Sequence, residues 1–186
     1  MLLLGAGDGL AVREILKYDT VEQITIVDID KRVTDLAKEH PILTQANGQA
    51  LSDSRVHIIN TDAFVFIREN KKKFDMILID LPDPSNETIG RLYTKEFYRL
   101  AQASLEKDGV LMTQASSPFF APNVISIIKH TLEQVFPVVR PVFVNVPSFG
   151  EWGFVLANQD GEIDVDALTV PIETQYIDSQ NIQERF

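Results

Sequence analysis

The feature that most constrains this chain is an alternation. Short, almost wholly apolar runs take turns with stretches of helical periodicity. The runs are Leu2–Leu4, Gln23–Val27, Val56–Ile59, Met76–Ile79 and Val110–Thr113. The helical stretches are Leu10–Lys17, Lys31–Glu39, Ala63–Glu69 and Thr94–Lys107. A strand without polar alternation is covered on both faces, which is the habit of a parallel sheet with helices on each side. In Thr94–Lys107, Phe97, Leu100, Ala101, Ser104 and Leu105 fall on one face, and Gly109 reads as the stop. Pro122–Phe136 reads as a further helix with proline in its first turn. Val142–Val146 and Trp152–Ala157 flank Pro147-Ser148-Phe149-Gly150 and predict an antiparallel hairpin at one edge, making seven strands. Thr44–Ser54 and Pro82–Gly90 carry turn residues and are read as loops. The expected fold class is α/β, a doubly wound seven-stranded sheet with an antiparallel edge hairpin.

Composition narrows the function. The 186 residues carry 17 Lys+Arg against 27 Asp+Glu, a formal net charge of −10. A phosphate-backbone binder needs a basic face, so no nucleic-acid partner is expected. The absence of cysteine excludes disulfides, thiol nucleophiles and Cys-ligated metals. His40, His57 and His130 have no ligand spacing, so no metal site is expected. No apolar run approaches the roughly 18–20 residues that span a bilayer. Met1 leads straight into Leu2-Leu3-Leu4-Gly5, so no secretory leader is expected. Residues 159–186 hold seven acids (Asp160, Glu162, Asp164, Asp166, Glu173, Asp178, Glu184) against Arg185 alone. They read as a solvated acidic tail, packed on or trailing from a body at 1–158, with Tyr176 and Phe186 as candidate anchors.

The chemistry gathers after the strands. Gly5-Ala6-Gly7-Asp8-Gly9 joins the first strand to the first helix, where glycines let a ligand approach the backbone. Leu10 stands where a dinucleotide fingerprint wants a small residue, so G-x-G-x-x-G is not met. Asp28 ends the second strand, 19 residues after Gly9, and suits a pair of ribose hydroxyls. Asp8 repels a pyrophosphate and favours positive charge beside the glycines. These residues point to an adenosine carrying a sulfonium. Asp8 also suits a helix cap, and both roles are compatible. Asp62, in Thr61-Asp62-Ala63, reads equally as a helix cap or as the acceptor of an adenine amino group. Asp80-Leu81-Pro82-Asp83-Pro84 ends the fourth strand over the same crevice, in a turn stiffened by two prolines. Phe149 reads as core or interface and Trp152 as a core anchor.

Together these motifs resemble the spermidine synthase (polyamine aminopropyltransferase) family over residues 1–158. The resemblance is carried by Gly5–Gly9 with Val12-Arg13-Glu14, Val27-Asp28-Ile29-Asp30, Thr61-Asp62-Ala63 and Asp80–Pro84. Leu92-Tyr93-Thr94, Phe97-Tyr98 and Gly109-Val110-Leu111 with Gln114 complete it. Ser117–Pro122 and Val146–Phe154 look most like the bacterial subgroup whose synthase domain follows membrane-spanning segments.

The resemblance implies a methyltransferase-like Rossmann sheet. It implies decarboxylated S-adenosylmethionine as co-substrate, a polyamine as acceptor (putrescine to spermidine), and no metal. Gly5, Gly7, Asp8, Gly9, Asp28, Asp62 and Ala63 would bind the donor, with Asp8 facing the aminopropyl ammonium. Asp80 would be the catalytic acid, and Asp83 and Gln114 would meet the polyamine. A homodimer is an expected partner state. The domain is expected to be cytoplasmic, in a parent anchored in the bacterial inner membrane. The family's N-terminal β domain is absent from the chain, so a longer parent is expected. Two other functions use the same sheet: an S-adenosylmethionine-dependent methyltransferase, and a non-catalytic adenosine-ligand-binding domain.

Overall fold

A computed structural model describes residues 1–161 and 163–186; Glu162, one of the acids counted in the tail, lies outside the described residues. Seven strands form one sheet: β1 Leu2–Gly5, β2 Ile24–Asp28, β3 Val56–Asn60, β4 Phe74–Asp80, β5 Leu105–Gln114, β6 Val138–Val146 and β7 Gly150–Asn158. Their order is β3-β2-β1-β4-β5-β7-β6. The first five strands in that order are parallel, and β7 runs antiparallel to both β5 and β6. The doubly wound sheet and its antiparallel edge hairpin agree with the sequence pattern.

The register explains the apolar runs. Leu2, Leu3 and Leu4 are fully buried because β1 is central and covered on both faces. Leu2 and Leu4 join Val27, Ile77, Ile79 and Phe97 in one core, while Leu3 joins Ile24, Ile26 and Val12 in the other. That division follows from side chains alternating across a strand. Among the described residues there are seven α-helices: α1 Leu10–Ile15, α2 Lys31–Glu39, α3 Pro41–Ala46, α4 Ala63–Glu69, α5 Glu87–Gly90, α6 Lys95–Ala103 and α7 Pro122–Glu133.

Several boundaries differ from the sequence reading. The first residues of the expected loop Thr44–Ser54 belong to α3, which Pro41 opens, since proline is tolerated in a first turn. A 3-10 turn at Ala50–Ser52 also falls inside the expected loop. The loop after β4 holds α5, capped by Asn86 on the Ile89 N–H, and a 3-10 turn at Arg91–Tyr93. Helix α6 stops at Ala103, and Leu105–Gly109 belongs to β5, so Gly109 is no helix stop. The helical periodicity ran on because Leu105 is buried, as a helical face residue would be, but in the sheet. The C-terminal tail ends in a 3-10 turn, Ile182–Arg185, against β6, with Arg185 over the Tyr176 ring.

The chain reverses its winding between β1 and β4, and that is where a doubly wound sheet opens a crevice. Gly5 pairs with Asp80 across it. Gly5 has φ +90°, and a Cβ there would overlap the Asp80 carbonyl. Substituting Gly5→Ala therefore combines backbone strain with a clash against main chain. We expect a loss of about 3 kcal/mol or more, lowering the thermal midpoint by roughly 6–12 °C. A midpoint within 2 °C of the unsubstituted protein in a thermal melt would contradict this packing.

Candidate active site

Beyond the carboxyl ends of β1 and β4 lies an open cleft of about 650 Å³. One side presents Gly7, Asp8, Asp80 and Asp83, and the opposite side presents Val146, Phe149, Trp152 and Phe154 from the β6–β7 hairpin. The cleft is therefore acidic on one flank and apolar on the other. A second cavity of about 610 Å³ lies at the opposite ends of the strands, around Met1, Glu22, Lys72 and Asp75. It is remote from the switch point, where ligands of such sheets bind.

The glycine loop is fixed from three directions. The Gly7 N–H donates to Asp28 Oδ2 at 3.0 Å, and a Cβ on Gly7 would overlap that carboxylate. Asp28 Oδ1 accepts from the Asp30 N–H at 2.9 Å. Asp8 Oδ1 accepts from the Leu10 N–H at 3.0 Å, so the capping role is present while Asp8 also lines the cleft. Fully buried Asn47 donates to the carbonyls of Asp8 and Ala37, tying the loop to α2. Asn47 sat in what the sequence presented as a turn, and nothing in its local pattern marked it as a tie.

Asp62 caps α4 by accepting from the Phe64 and Val65 N–H groups through Oδ1. Its Oδ2 pairs with the Arg91 guanidinium, which also lies 5.6 Å from the centre of the Phe64 ring. An adenine amino group would thus share Oδ2 with Arg91, a residue the sequence reading passed over. The Ala63 side chain is buried in the core, so what it offers a ligand is the main-chain N–H of the first helical position. Of the residues expected from sequence, Gly7, Asp8, Asp80, Asp83 and Gln114 meet in one cleft. Gly5, Gly9, Asp28, Asp62 and Ala63 are not among the residues that line it.

The two acids of the Asp80–Pro84 turn have different surroundings. Asp83 is held by neutral donors on both oxygens: Gln114 Nε2 at 3.0 Å on Oδ1 and Ser116 Oγ at 2.8 Å on Oδ2. Asp80 is exposed to the cleft at the end of a largely buried strand, with protein atoms crowding one side of its carboxylate. That desolvation, with the nearby Asp8 charge second, raises its pKa above the usual carboxylate value. Phe149 and Trp152 are cleft residues rather than core, with ring centroids 5.5 Å apart. Their signal was in the hairpin, but an aromatic near a turn gives no hint of which side it faces. Among the described residues, no group of His, Asp and Glu could hold a metal ion.

The raised Asp80 pKa has a stability consequence. Folding disfavours the ionised form, so native stability falls as pH rises from the unfolded value to the folded one, and the penalty is complete above both. We expect Asp80→Asn to raise the thermal midpoint at pH 7.5. The gain should shrink as pH falls and vanish below the ordinary aspartate range. A gain that persists unchanged into acid, or a loss at pH 7.5, would contradict the environment described.

The arrangement has known relatives. Residues 1–167 match the model of the spermine/spermidine synthase domain. A polyamine aminopropyltransferase of Oceanobacillus iheyensis is 45% identical over 177 residues, 95% of this chain and 34% of that protein. One from Leptospira interrogans is 48% identical over 159 residues, 86% of this chain and 32% of that protein. The chain thus spans about a third of the length of the curated relatives it matches. A spermidine synthase solved with the transition-state analogue AdoDATO superposes with a TM-score of 0.85 at 28% identity, over 98% of this chain and 64% of that one. Spermidine synthase from Thermotoga maritima gives 0.85 at 26% identity, over 98% and 62%. With the glycine loop, the switch-point acids and the sheet order all in the same frame, the chain belongs to the spermine/spermidine synthase domain family.

Proposed function

We propose that this domain transfers the aminopropyl group of decarboxylated S-adenosylmethionine to a polyamine amine, with putrescine giving spermidine and methylthioadenosine released. The observation that carries the reading is the cleft itself, with three carboxylates (Asp8, Asp80 and Asp83) on one flank and apolar side chains on the other. A cationic, flexible, aliphatic acceptor matches both flanks.

In this reading Gly5, Gly7 and Gly9 let the donor lie against backbone, and Asp28 takes the ribose hydroxyls. Asp62 and the Ala63 N–H meet the adenine edge. Asp8 faces the aminopropyl ammonium. Asp83, with Gln114 beside it, holds the acceptor as a fixed anion. The reading also takes residues 1–158 as the catalytic body and 159–186 as its acidic tail. It includes a homodimer and a parent anchored in the bacterial inner membrane, and those two rest on the resemblance alone. No helix among the described residues is long and apolar enough to cross a membrane.

The chemistry is a displacement. The acceptor nitrogen's lone pair attacks the methylene beside the sulfonium. The C–S bond breaks, its electrons neutralise the sulfur, and the nitrogen gives up a proton. An amine with a pKa near 10.4 is neutral in only about 1 part in 10³ at pH 7, a cost of roughly 4–5 kcal/mol. Asp80 is the acid free to take that proton, and its raised pKa makes it a better acceptor than an ordinary aspartate. Asp83 has both oxygens engaged by Gln114 and Ser116. Holding donor and amine in line lowers the remaining barrier.

Product analysis tests this. Incubation with decarboxylated S-adenosylmethionine and 1,4-diaminobutane should yield methylthioadenosine and an aminopropylated diamine in equal amounts. Asp80→Asn should cut kcat by about 10²-fold or more while donor binding survives. Unchanged turnover in that variant would remove Asp80 from the role, and a methylated product would replace the reaction.

A further inference from the structure

The segment after the Asp80–Pro84 turn does more than close the loop. Tyr93 ends a 3-10 turn and is buried, with 7% of its surface exposed. Its hydroxyl lies 3.0 Å from both the Leu81 and Pro82 carbonyls, the two residues between the acids. It accepts from Gln114 Nε2 at 2.8 Å. Gln114 Nε2 also reaches the Leu81 carbonyl at 2.7 Å and Asp83 Oδ1 at 3.0 Å. On its other side, Gln114 Oε1 accepts from the Ser116 N–H at 2.8 Å, and Ser116 Oγ donates to Asp83 Oδ2 at 2.8 Å. Ser116 adopts φ +65°, a left-handed conformation unusual for a non-glycine residue, in reaching it.

These bonds form one network of four side chains, of which Asp83 alone is an acid. Tyr93 occupies its inner end and Asp83 its cleft end. The phenol is not a reacting group, since burial pushes its pKa far up and keeps it a neutral donor. It serves as a peg under the turn, and without it both the Leu81–Pro82 carbonyls and the Gln114 amide would lose a partner.

We propose that Tyr93 is a positioning residue for the acceptor site: acting through Gln114, it holds Asp83 where the acceptor ammonium is met. The proposal rests on the reading of Asp83 as the acceptor's anionic partner. Tyr93 is separated from the cleft by that network and is not itself among the residues lining it. Its effect should therefore fall on acceptor binding and leave the donor half untouched. A residue that only supports the fold would instead weaken both ligands together, or neither.

The test is a double-mutant cycle on the full chain, read by calorimetry with 1,4-diaminobutane in the presence of methylthioadenosine. Tyr93→Phe should weaken the diamine about tenfold while methylthioadenosine affinity stays within twofold. Tyr93→Phe combined with Asp83→Asn should bind no more weakly than Asp83→Asn alone, because coupled residues are not additive. Gln114→Leu severs the same link and also removes Gln114's own place in the cleft, so it should weaken the diamine at least as much as Tyr93→Phe with methylthioadenosine affinity within twofold, and unchanged diamine affinity there overturns the role if Tyr93→Phe does not fold. Unchanged diamine affinity in the single variants, or additive losses in the double, would overturn the role of Tyr93. An Asp83→Asn variant that binds the diamine as well as the unsubstituted protein, or a failure of the latter to bind it at all, would instead overturn the reading of Asp83 beneath it.

Discussion

The close approach of β1 to β4 at the Gly5–Asp80 pair is the constraint on which the rest of the site depends. Gly5 has no side chain to keep the strands apart, so the glycine loop and the acidic turn rise from adjacent strand ends. Everything that lines the cleft on its acidic flank is anchored to one of those two ends. The same local rule repeats two residues on, where Gly7 closes on the Asp28 carboxylate at the end of β2. A backbone brought this near to carboxylates leaves little room for anything but a ligand that offers hydroxyls or positive charge. The fold and the charge of the site are thus set by one geometric choice.

The two acids after β4 illustrate how one turn produces two chemistries. They are three residues apart in a stiff Asp-Leu-Pro-Asp-Pro segment. One is enclosed by neutral donors from β5 and its following loop, and the other is left to the cleft with a neighbouring negative charge. Desolvation and like charge raise the cost of ionising Asp80, while the donors on Asp83 fix where its oxygens point. The divergence needs no metal and no special residue type, only unequal surroundings.

Much of the fold was legible because central strands are apolar on both faces. Leu2–Leu4 and Met76–Ile79 announce themselves for that reason, and Ala63–Glu69 matches its helix residue for residue because Asp62 caps it. Leu105–Gly109 was misread because its one buried leucine satisfies helical spacing as well as strand spacing. The cleft was legible where acids and glycines stand at strand ends, as at Gly7, Asp8, Asp80 and Asp83. It was not legible where side chains arrive from irregular segments. Arg91, Tyr93, Ser116, Phe149 and Trp152 all sit at turns or on the edge hairpin, where no periodicity tells which way a residue faces. Asp62 is an intermediate case, since its cap was foreseen but the Arg91 pairing was not.

The central claim is that the cleft is built for a donor with positive charge and no carboxylate near the glycine loop. Calorimetric titration with decarboxylated S-adenosylmethionine and, in parallel, with intact S-adenosylmethionine tests it most directly. The account predicts at least a tenfold preference for the decarboxylated form, about 1.4 kcal/mol, because the added carboxylate would face Asp8 and Asp80. Equal affinity, or a preference for the intact form, would contradict it and reduce Asp8 to a cap for α1.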